Sequence, residues 1–335
     1  MSRTRPPTMR DIGARAGVAP ITVSRALRGD PGVNAQTRAA VVRAANRLGY
    51  VRNNAAPALS ARGSKLVALI VPNISNSVFA DTIDGLTDVL SRDGYSLVIG
   101  YSGYSRGDEE RLVRSLLGHR PDAMILTGFV HTSASRTLLR RARIPVAEIW
   151  NVGHKPIDMA VGFSNLKAAL EMTRYLIARG HTRLAYAGGT QTDNDRTRER
   201  EVGFRRALAE AGLEVNNDWI VSLPMEFGSG CELARSLMNG KKRPTAIFAA
   251  SDIIATGFVL ECHRLGWRVP KDIAVAGFDD TPLSSVIEPQ LTTVQVPQRE
   301  IGVVAGQMML DRLRNGRVRD RQRDLGFRIV QRASA

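Results

Sequence analysis

The chain has little of what defines exported, disulfide-stabilised or membrane proteins. Cys231 and Cys262 are the only cysteines among 335 residues, which is too few for a disulfide framework. The longest apolar run near the amino terminus, Leu66–Val71, has six residues, whereas a membrane helix needs about 20. No apolar stretch follows the basic segment Met1–Arg10, as a secretory signal would require. These features predict a cytoplasmic protein that makes no membrane contact.

Motifs that mark common enzyme and metal sites are also missing. There is no G-x-x-x-x-G-K-[ST] phosphate-binding loop, and Gly100-Tyr101-Ser102-Gly103 fails as a nucleophile elbow because Tyr104 replaces the required glycine. The five histidines are not spaced as a metal-binding pair; they are His119, His131, His154, His181 and His263. We therefore expect no enzymatic activity, no cofactor and no metal.

Acidic residues are scarce in the first part of the chain. Residues 1–65 contain 12 of the 47 Lys and Arg residues but only Asp11 and Asp30 of the 32 acidic residues, so they carry +10 of the net charge of +15. The rest is nearly balanced, and a composition with 43% hydrophobic and 24% charged residues is ordinary for a globular protein. A basic module indicates a polyanionic partner, although charge alone is equally compatible with a solvated basic face.

The basic module has the pattern of three short helices. Thr8 and Asp11 have the spacing of a capping box, Gly17 is placed to end the first helix, Pro20 suits the first turn of the second, and Asn34 can cap the third. The predicted helices are Met9–Ala16, Ile21–Leu27 and Ala35–Leu48. Their predicted inward side chains are Val23, Ala26, Leu27, Val41, Val42, Ala45 and Leu48. Two short helices around a glycine-centred turn are typical of a helix-turn-helix, whose second helix lies in the DNA major groove.

The residues around that turn narrow the interpretation further. They are Gly17-Val18-x-x-x-Thr22-Val23-Ser24-Arg25, followed by Asn34 and by Leu48-Gly49-Tyr50. This pattern resembles the LacI/GalR family of bacterial repressors, and the resemblance continues to the carboxyl terminus. It implies a DNA-binding repressor with a lambda-repressor-like helix-turn-helix domain over residues 1–52.

The resemblance also assigns roles on the second helix. Pro20, Ile21 and Arg25 occupy base-reading positions: Arg25 can donate two hydrogen bonds to a guanine edge, and Ile21 can contact a thymine methyl group. The residues expected at the DNA backbone are Thr22, Ser24 and Asn34, with local capping as the alternative for the first two. Ala19 departs from the family, which often has a polar N-cap at that position.

A hinge or linker is expected over residues 53–64. In the family this segment is a helix that orders on DNA, and Leu59 stands where a leucine enters the minor groove. Pro57 is compatible with such a helix only within its first turn, as when Asn54 is the cap. A flexible linker is the alternative.

From Lys65 onward the pattern alternates between apolar strands and amphipathic helices. The predicted strands are Leu66–Val71, Leu97–Ile99, Ala123–Leu126, Val146–Trp150, Leu184–Ala187, Ile220–Val221, Ala246–Ala249 and Ile273–Phe278. The predicted helices lie near Ser77–Arg92, Gly107–Leu117, Ser135–Arg143, Leu166–Arg179, Arg198–Ala211, Gly230–Met238 and Ser251–Leu265. Such alternation predicts an α/β core of two doubly wound parallel-sheet lobes, and the resemblance implies a periplasmic-binding-protein-like core over residues 65–335.

The expected lobes exchange chain segments. The first comprises about 65–162 plus 292–322, and the second about 163–290 plus 323–330. In this arrangement Thr292–Val296 returns to the first lobe and Phe327–Val330 completes the second.

Residues at the carboxyl ends of these strands are candidates for a ligand pocket between the lobes. The candidates are Asn76, Phe79, Thr127, His131, Glu148, Trp150, Arg200, Phe227, Ser251, Asp252 and Asp279, with Asp280 beside the last. The resemblance supports Asn76, Phe79 and Arg200, whereas Trp150 and Ser251 replace the family's commoner aspartate and asparagine. Several have simpler alternatives: turn chemistry for Asp279, core packing for Phe79 and Phe227, and an ordinary loop for His131. The other charged residues of Arg196–Glu201 are expected to be solvated.

The chemistry of this set suits a polyol, since carboxylates accept hydroxyl donors and an aromatic ring covers a C–H face. Arg200 and His131 add positive potential that suits an acid group, and Asn73–Phe79, Ile125–Thr132, Asp158–Phe163 and Leu325–Phe327 resemble the branch of the family that regulates gluconate utilisation. We therefore expect a sugar acid such as gluconate as effector. The alternatives are a neutral sugar, a nucleoside-like ligand, or a sugar-binding protein without a regulatory role.

The expected assembly is a homodimer on a pseudo-palindromic operator, with both hinge segments over the minor groove. The chain ends at Ala335 without a heptad tail, so a dimer is expected rather than a tail-held tetramer.

Overall fold

The computed structural model describes residues 7–27, 29–48, 63–73, 77–189, 192–240 and 242–335. The chain divides into two compact units, Met1–Arg62 and Gly63–Ala335. We call the first the helical unit and the second the core. Within the described residues, no helix is both long and apolar enough to cross a membrane.

The helical unit contains three helices: α1 (Met9–Ala16), α2 (Pro20–Leu27) and α3 (Ala35–Leu48). The Thr8 N–H donates to Asp11 Oδ2 at 2.7 Å and the Asp11 N–H donates to Thr8 Oγ1 at 3.4 Å, which completes the capping box of α1. Gly17 ends α1 with a left-handed φ of 71°. A Cβ at Gly13 would lie 2.6 Å from the Val18 carbonyl oxygen, so glycine permits the tight turn between α1 and α2.

The helices enclose a small apolar core. Its buried members are Ile12, Val23, Ala26, Val33, Val41, Ala44 and Ala45. The predicted inward position of Val42 is wrong, since its side chain is 41% exposed. One helical step rotates Val42 by about 100° from Val41, which takes it off the buried face.

The core contains eight helices and twelve strands in the described residues. The helices are α4 (Ala80–Arg92), α5 (Arg106–Gly118), α6 (Ser133–Ala142), α7 (Asn165–Ala178), α8 (Asp195–Glu210), α9 (Phe227–Met238), α10 (Asp252–Arg264) and α11 (Gln298–Asn315). The strands are β1 (Leu66–Val71), β2 (Ser96–Tyr101), β3 (Ala123–Thr127), β4 (Val146–Ile149), β5 (Met159–Gly162), β6 (Leu184–Gly188), β7 (Ile220–Ser222), β8 (Ala246–Ala249), β9 (Ala274–Asp279), β10 (Thr292–Gln295), β11 (Gln322–Asp324) and β12 (Arg328–Val330).

These elements form two similar lobes. The sheet of the first lobe has the strand order β11-β5-β4-β3-β1-β2, and all of its strands run parallel. The sheet of the second lobe has the order β12-β10-β9-β8-β6-β7, with only β12 antiparallel to its neighbour. In the first lobe α4 packs on α11 and α5 on α6; in the second α7 packs on α8 and α9 on α10. This architecture confirms the predicted fold class.

The predicted route of the chain between the lobes is wrong at one strand. The strand Thr292–Gln295 lies in the second sheet, where Thr293 pairs with Gly277 of β9 and donates its hydroxyl to Asp252 Oδ1 at 2.6 Å. The return to the first lobe is made by α11, whose Gly302 approaches the Thr82 carbonyl so closely that a Cβ would lie 2.1 Å from it. An apolar run predicts a buried strand but cannot indicate which of two similar sheets it joins.

The last boundary between the lobes also differs. Arg323 and Asp324 belong to β11 in the first sheet, whereas residues 323–330 were assigned to the second lobe as one piece. Only Arg328–Val330, in β12, pairs in the second sheet. The exposed, charged β11 carries no apolar signal that would have marked it as a strand.

Candidate functional site

The solvent-facing side of α2, the second helix of the helical unit, carries both apolar and charged side chains. Ile21 is 71% exposed and Pro20 is also exposed, while Val23 and Ala26 turn into the core. Thr22 and Ser24 are half-buried beside them. The face of α2 opposite the core therefore carries the predicted base-reading side chains.

Arg25 is held in one orientation by the turn that follows α2. Its Nε donates to Asp30 Oδ2 at 3.0 Å and its Nη2 donates to Asp30 Oδ1 at 3.4 Å, while the side chain remains 47% exposed. Asp30 Oδ1 also accepts the Gly32 N–H at 2.9 Å, and the hydrogen bond and charge of Asp30 raise the pKa of Arg25. This pairing orients a forked cation that can meet a base edge bidentately.

The predicted DNA-backbone residue Asn34 has a structural role of its own. Its Oδ1 accepts the Thr37 N–H at 2.8 Å and so caps α3, while its side chain stays exposed. Leu59, predicted to enter the minor groove, lies outside the described residues, as does nearly all of the predicted hinge.

A second candidate site lies between the two lobes of the core. The cavity there has a volume of about 30 Å³. Its lining comprises Val78, Phe79, Tyr104, Trp150, Asn194, Arg196, Thr197, Arg200, Met225, Ser251 and Asp279. Five predicted residues are thus brought together: Phe79, Trp150, Arg200, Ser251 and Asp279. Asn76 lies outside the described residues.

Arg200 is buried and held on three sides. Its Nε donates to Asn165 Oδ1 at 2.9 Å, its Nη1 donates to the Ala250 carbonyl at 2.6 Å, and its guanidinium carbon lies 3.5 Å from the ring centre of Phe278. Burial lowers the pKa of this arginine, partly offset by Asp279. Arg200 therefore supports the floor of the cavity as well as lining it.

Arg196 is a further buried cation, and the expectation that it is solvated is wrong. Only 6% of it is exposed, and its Nη1 pairs with Asp195 Oδ1 at 3.1 Å. It is the second residue of α8, whose first turn points into the space between the lobes, so it cannot follow the solvated outer face of that helix. The sequence does not distinguish Arg196 from its charged neighbours in the same run, Arg198 and Glu199, which are exposed and half-buried.

Asp195, which pairs with the lining residue Arg196, joins the two lobes. Its Oδ2 accepts the Phe129 N–H at 3.0 Å and the Asn151 side-chain amide at 2.9 Å, both from the first lobe. Burial alone would raise the pKa of Asp195, but Arg196 and these hydrogen bonds outweigh it and the pKa is lowered. Asp195 is therefore an ionised carboxylate that binds an arginine of the pocket and the opposite lobe together.

The acidic side of the cavity is Asp279. Burial raises its pKa to about 7, opposed by the charge of Arg200, and its Oδ2 accepts the Ser251 hydroxyl at 3.2 Å. Both Asp279 and Trp150 have a positive φ, 114° and 72°. Strained backbone at the ends of β9 and β4 is typical of sites that position side chains for function.

The aromatic wall contains a buried donor without a partner. The ring of Trp150 packs against that of Phe79 in a tilted arrangement, with centroids 5.0 Å apart, and its Nε1 has no hydrogen-bond partner among the described residues. A buried indole N–H normally finds an acceptor. Trp150 also lines the cavity, so its N–H is a candidate donor to a ligand oxygen.

His131 and Glu148 do not line this cavity, contrary to the prediction. They are buried inside the first lobe, where His131 Nδ1 lies 2.7 Å from Glu109 Oε1 and Nε2 lies 3.2 Å from Glu148 Oε1. Burial by itself would lower the pKa of His131, but its hydrogen bonds to both carboxylates raise it to about 9. The ring is thus a cation already neutralised by two anions, and it adds no positive potential for a ligand.

Three other predicted residues also lie elsewhere. Thr127 donates its hydroxyl to the Ile70 carbonyl and borders a neighbouring cavity of about 20 Å³, which shares Tyr104 and Arg196 with the first. Phe227 is 45% exposed at the start of α9. The Asp252 carboxylate accepts hydrogen bonds from the Thr281 N–H and from hydroxyls that include that of Ser284, so it anchors a turn and does not line the cavity. Burial raises the pKa of Asp252 to about 6.

Several pocket residues gave no sequence signal. Tyr104, Asn194, Thr197, Met225 and Val78 line the cavity but belong to loops or helix starts whose spacing is not distinctive. Asn194 has a recognisable function only as the cap of α8, since its Oδ1 accepts the Thr197 N–H at 3.4 Å.

Comparisons with known proteins match both parts of the chain. Residues 8–53 match the family described as bacterial regulatory proteins, lacI family, and residues 173–335 match a periplasmic binding protein-like domain. The chain is 38% identical to the HTH-type transcriptional regulator GntR of Pseudomonas aeruginosa, over 98% of this chain and 95% of that protein. It is 34% identical to the HTH-type transcriptional regulator GntR of Escherichia coli K12, over 96% of this chain and 97% of that protein.

A solved structure has the same architecture throughout. A LacI-family transcriptional regulator from Silicibacter pomeroyi superposes with a TM-score of 0.91 at 31% identity, covering 98% of this chain and 99% of that one.

The Glu109–His131–Glu148 cluster predicts a specific pH dependence of stability. A folded-state pKa near 9 lies above the ordinary value of 6.5, so the stabilisation is complete below about pH 6.5 and is lost as the pH rises through 9. The loss between pH 6 and pH 10 should be on the order of 3 kcal/mol of unfolding free energy. Urea unfolding at several pH values measures it.

The matched control is the neutral cluster Glu109→Gln, His131→Gln and Glu148→Gln combined. The unfolding free energy of this variant should not fall between pH 6 and pH 10 through His131, while the pH dependence caused by other groups remains. Equal alkaline losses in the two proteins would show that the cluster does not cause the effect.

Proposed function

The chain belongs to the lacI family of bacterial regulatory proteins, and we propose that its operator binding is controlled by a sugar acid held between the two lobes of its core. It is a DNA-binding transcriptional repressor and not an enzyme, as the sequence predicts. The proposal concerns the effector, the residues that bind it and DNA, and the surface that joins two copies.

The charge of the cavity is the observation that carries the effector proposal. Arg196 and Arg200 both face it, whereas Asp195 pairs with Arg196 and Asp279 is only partly ionised near neutral pH. A buried cation that lacks a full complement of anions is costly, and a ligand carboxylate removes that cost. An acidic ligand is therefore favoured over a neutral sugar.

The remaining cavity groups suit the hydroxylated part of such a ligand. The N–H of Trp150 can donate a hydrogen bond, the hydroxyl of Tyr104 can donate or accept one, and the Phe79–Trp150 pair offers an apolar face for C–H groups. Gluconate has this chemistry, with one carboxylate and five hydroxyl groups. It is the sugar acid we propose.

Binding of a ligand of this size requires a different arrangement of the lobes. The two neighbouring cavities have volumes of about 30 and 20 Å³, whereas ligand pockets are usually some 300 Å³ or more. The Asp195 bonds to Phe129 and Asn151 cross the cleft and must lengthen when it opens. A ligand that prefers the open arrangement shifts the population of the core, and this shift is the proposed switch.

For DNA, we propose Arg25, Ile21 and Pro20 as the base-reading residues and Thr22, Ser24 and Asn34 as backbone contacts. Their support is the exposed face of α2 and the orientation of Arg25 by Asp30. Leu59 remains a prediction for the minor groove.

The second copy of the proposed homodimer is expected at the β2 edge of the first lobe. The two free edges of that sheet differ: β11 exposes Gln322, Arg323 and Asp324, whereas β2 exposes Val98 (40%), Ile99 (44%) and Tyr101 (54%). Charged edge strands resist pairing, and apolar ones are normally covered. A regulator that reads a palindromic operator needs a second copy, so we assign that copy to β2.

Arg25→Gln should remove operator discrimination but keep nonspecific DNA binding. A bidentate arginine–guanine contact is worth about 1–3 kcal/mol, or roughly 10- to 100-fold in the ratio of operator to scrambled-duplex affinity. Titration of both duplexes by fluorescence anisotropy measures that ratio, with an operator selected by the wild-type protein from random duplexes. Arg43→Gln, at an exposed position on α3, is the control. An unchanged ratio in Arg25→Gln would contradict the base-reading role.

Arg196→Met should abolish the preference for a sugar acid over its neutral analogue. Calorimetric titration with gluconate and with sorbitol, which has the same carbon number but no carboxylate, measures the preference. A charge-assisted contact is worth about 1.5–3 kcal/mol, so wild type should prefer gluconate by about 10- to 100-fold. Arg200 is a poorer target because it also supports Ala250 and Phe278.

Arg198→Met provides the matched control for this test, because Arg198 is exposed on the same helix and does not line the cavity. The control should keep the preference for gluconate. Should Arg196→Met keep it as well, the acid group binds elsewhere.

Ile99→Asp should weaken the dimer by on the order of 100-fold, since burying an isoleucine contributes about 1.5–3 kcal/mol and a buried charge adds a further cost. Sedimentation over a concentration series measures the dissociation constant. Gln322→Asp, at the other edge of the same sheet, should leave it unchanged. A dimer unaffected by Ile99→Asp would place the second copy on a different surface.

A further inference from the structure

The first lobe carries exposed arginines that belong neither to the proposed effector site nor to the helical unit. They lie at the end of its sheet where the strands begin: all six strands are parallel, so β1, β2, β3, β4, β5 and β11 start at the same end. The core also begins at this end, because Gly63, Ser64 and Lys65 precede β1. The segment that joins the helical unit to the core is thus attached at this end.

Four exposed arginines define what we call the basic edge: Arg120, Arg143, Arg317 and Arg319. Arg120 precedes β3, Arg143 precedes β4, and the other two lie in the loop before β11. From β11 to β3 there are three inter-strand steps, or about 14 Å. Along its axis, one strand of B-DNA presents about four phosphates over that distance.

Three of the carboxylates near this edge are already occupied, whereas Asp311, which lines the groove beside Arg317 and Arg319, and Asp320 are exposed and reduce the net positive charge there. Asp93 pairs with Arg314, and Asp158 pairs with Arg312 at 3.1 Å and Arg321 at 3.6 Å. Asp122 accepts the backbone N–H groups of residues 64 and 65 at 2.8 and 2.9 Å. Among the residues that the structure describes, none forms a hydrogen bond, ion pair or ring contact with the guanidinium groups of the basic edge.

Two of these arginines occupy backbone positions that favour glycine. Arg120 and Arg143 have φ values of 50° and 55° at the ends of α5 and α6. In the second lobe the position that corresponds to Arg143, after α10, is Gly266, and α4 and α11 of the first lobe also end at left-handed glycines, Gly94 and Gly316. At two helix ends of the first lobe, a left-handed backbone position that favours glycine is therefore occupied by arginine.

The matching edge of the second lobe is different in a further respect. Its arginines have partners: Arg179 donates to Tyr175, Arg183 donates to the Arg243 carbonyl, Arg243 lies over Trp267, and Arg268 pairs with Asp272. Unpaired, exposed arginines therefore distinguish the edge to which the DNA-binding unit is tethered. An open groove of about 750 Å³ beside Arg317 and Arg319 leaves them accessible.

We propose that the basic edge of the core binds phosphates of the DNA that flanks the operator. This inference rests on the proposed DNA-binding function and extends it to a surface outside the helix-turn-helix. Contacts of this kind carry no sequence information, but each neutralised phosphate releases counterions and adds affinity that depends on salt.

The test uses the full chain and two duplexes, the selected operator alone and the same operator with 15 additional base pairs on each side. Wild type should bind the longer duplex more tightly, and the difference should shrink as salt rises. Arg317→Gln combined with Arg319→Gln should lose most of this difference. The slope of log affinity against log salt on the long duplex should become shallower by about 0.9 for each phosphate contact removed.

Lys242→Gln combined with Lys271→Gln is the matched control, because it removes two exposed cations from the edge of the second lobe. It changes the net charge equally and should keep the wild-type difference between duplexes. Charge reversal at the basic edge, Arg317→Glu with Arg319→Glu, should make the longer duplex bind less tightly than the short one.

The inference is overturned by a wild-type protein that ignores the flanks, or by equal losses in the edge and control variants. Failure of the proposed function has a different signature, since wild type would then not distinguish the short operator from a scrambled duplex.

Discussion

The core depends on one buried carboxylate, Asp195, at the start of α8. It binds Arg196 within the second lobe and accepts hydrogen bonds from Phe129 and Asn151 of the first lobe. A carboxylate with three donors stays ionised although it is buried, and the lowered pKa of Asp195 reflects this. Arg196, which lines the proposed effector cavity, and the hydrogen bonds of Asp195 across the cleft therefore belong to a single network. In the proposed switch, a ligand anion that binds Arg196 would therefore perturb the same carboxylate that accepts the cross-lobe hydrogen bonds.

The electrostatics of this network support the proposal of an anionic ligand. Arg200 is fixed by Asn165, Ala250 and the ring of Phe278, none of which carries a negative charge. The pKa of Asp279 is raised to about 7, which leaves that carboxyl a partial counter-charge at neutral pH. The other buried acids of the core are satisfied elsewhere: Asp252 by the turn after β9, and Glu109 with Glu148 by His131. Glu261, also buried, is paired with Arg235 and Arg264, so among these buried groups of the core the positive excess lies where the two lobes meet.

The sequence predicts features whose causes are local and misses those whose causes are distant. The limits of α1 and α3 agree with the prediction because Thr8, Gly17 and Asn34 act within one helical turn. Trp150 and Asp279 line the cavity because strand ends of a parallel sheet meet at one end of the sheet, and Phe79 lines it at a position that the family resemblance supports. His131 and Glu148 were misplaced because each neutralises the other inside the first lobe, a pairing across 17 residues that spacing does not reveal. Arg196 was dismissed since a charge run on a helix is usually solvated, and only the tertiary position of its first turn buries it.

The positive charge of this chain has different physical consequences in different places. Exposed cations on α2 and on the basic edge interact through water, where an ionic strength near 0.15 M screens charges beyond about 8 Å. Arg196 and Arg200 are each only 6% exposed and interact with their surroundings almost without solvent. If the proposed sites are correct, ionic strength acts mainly on the affinity for DNA, whereas the effector acts through a buried network that salt barely reaches. Because the two would act through separate sets of arginines, the proposed repressor could respond to its ligand similarly across conditions that change its affinity for DNA.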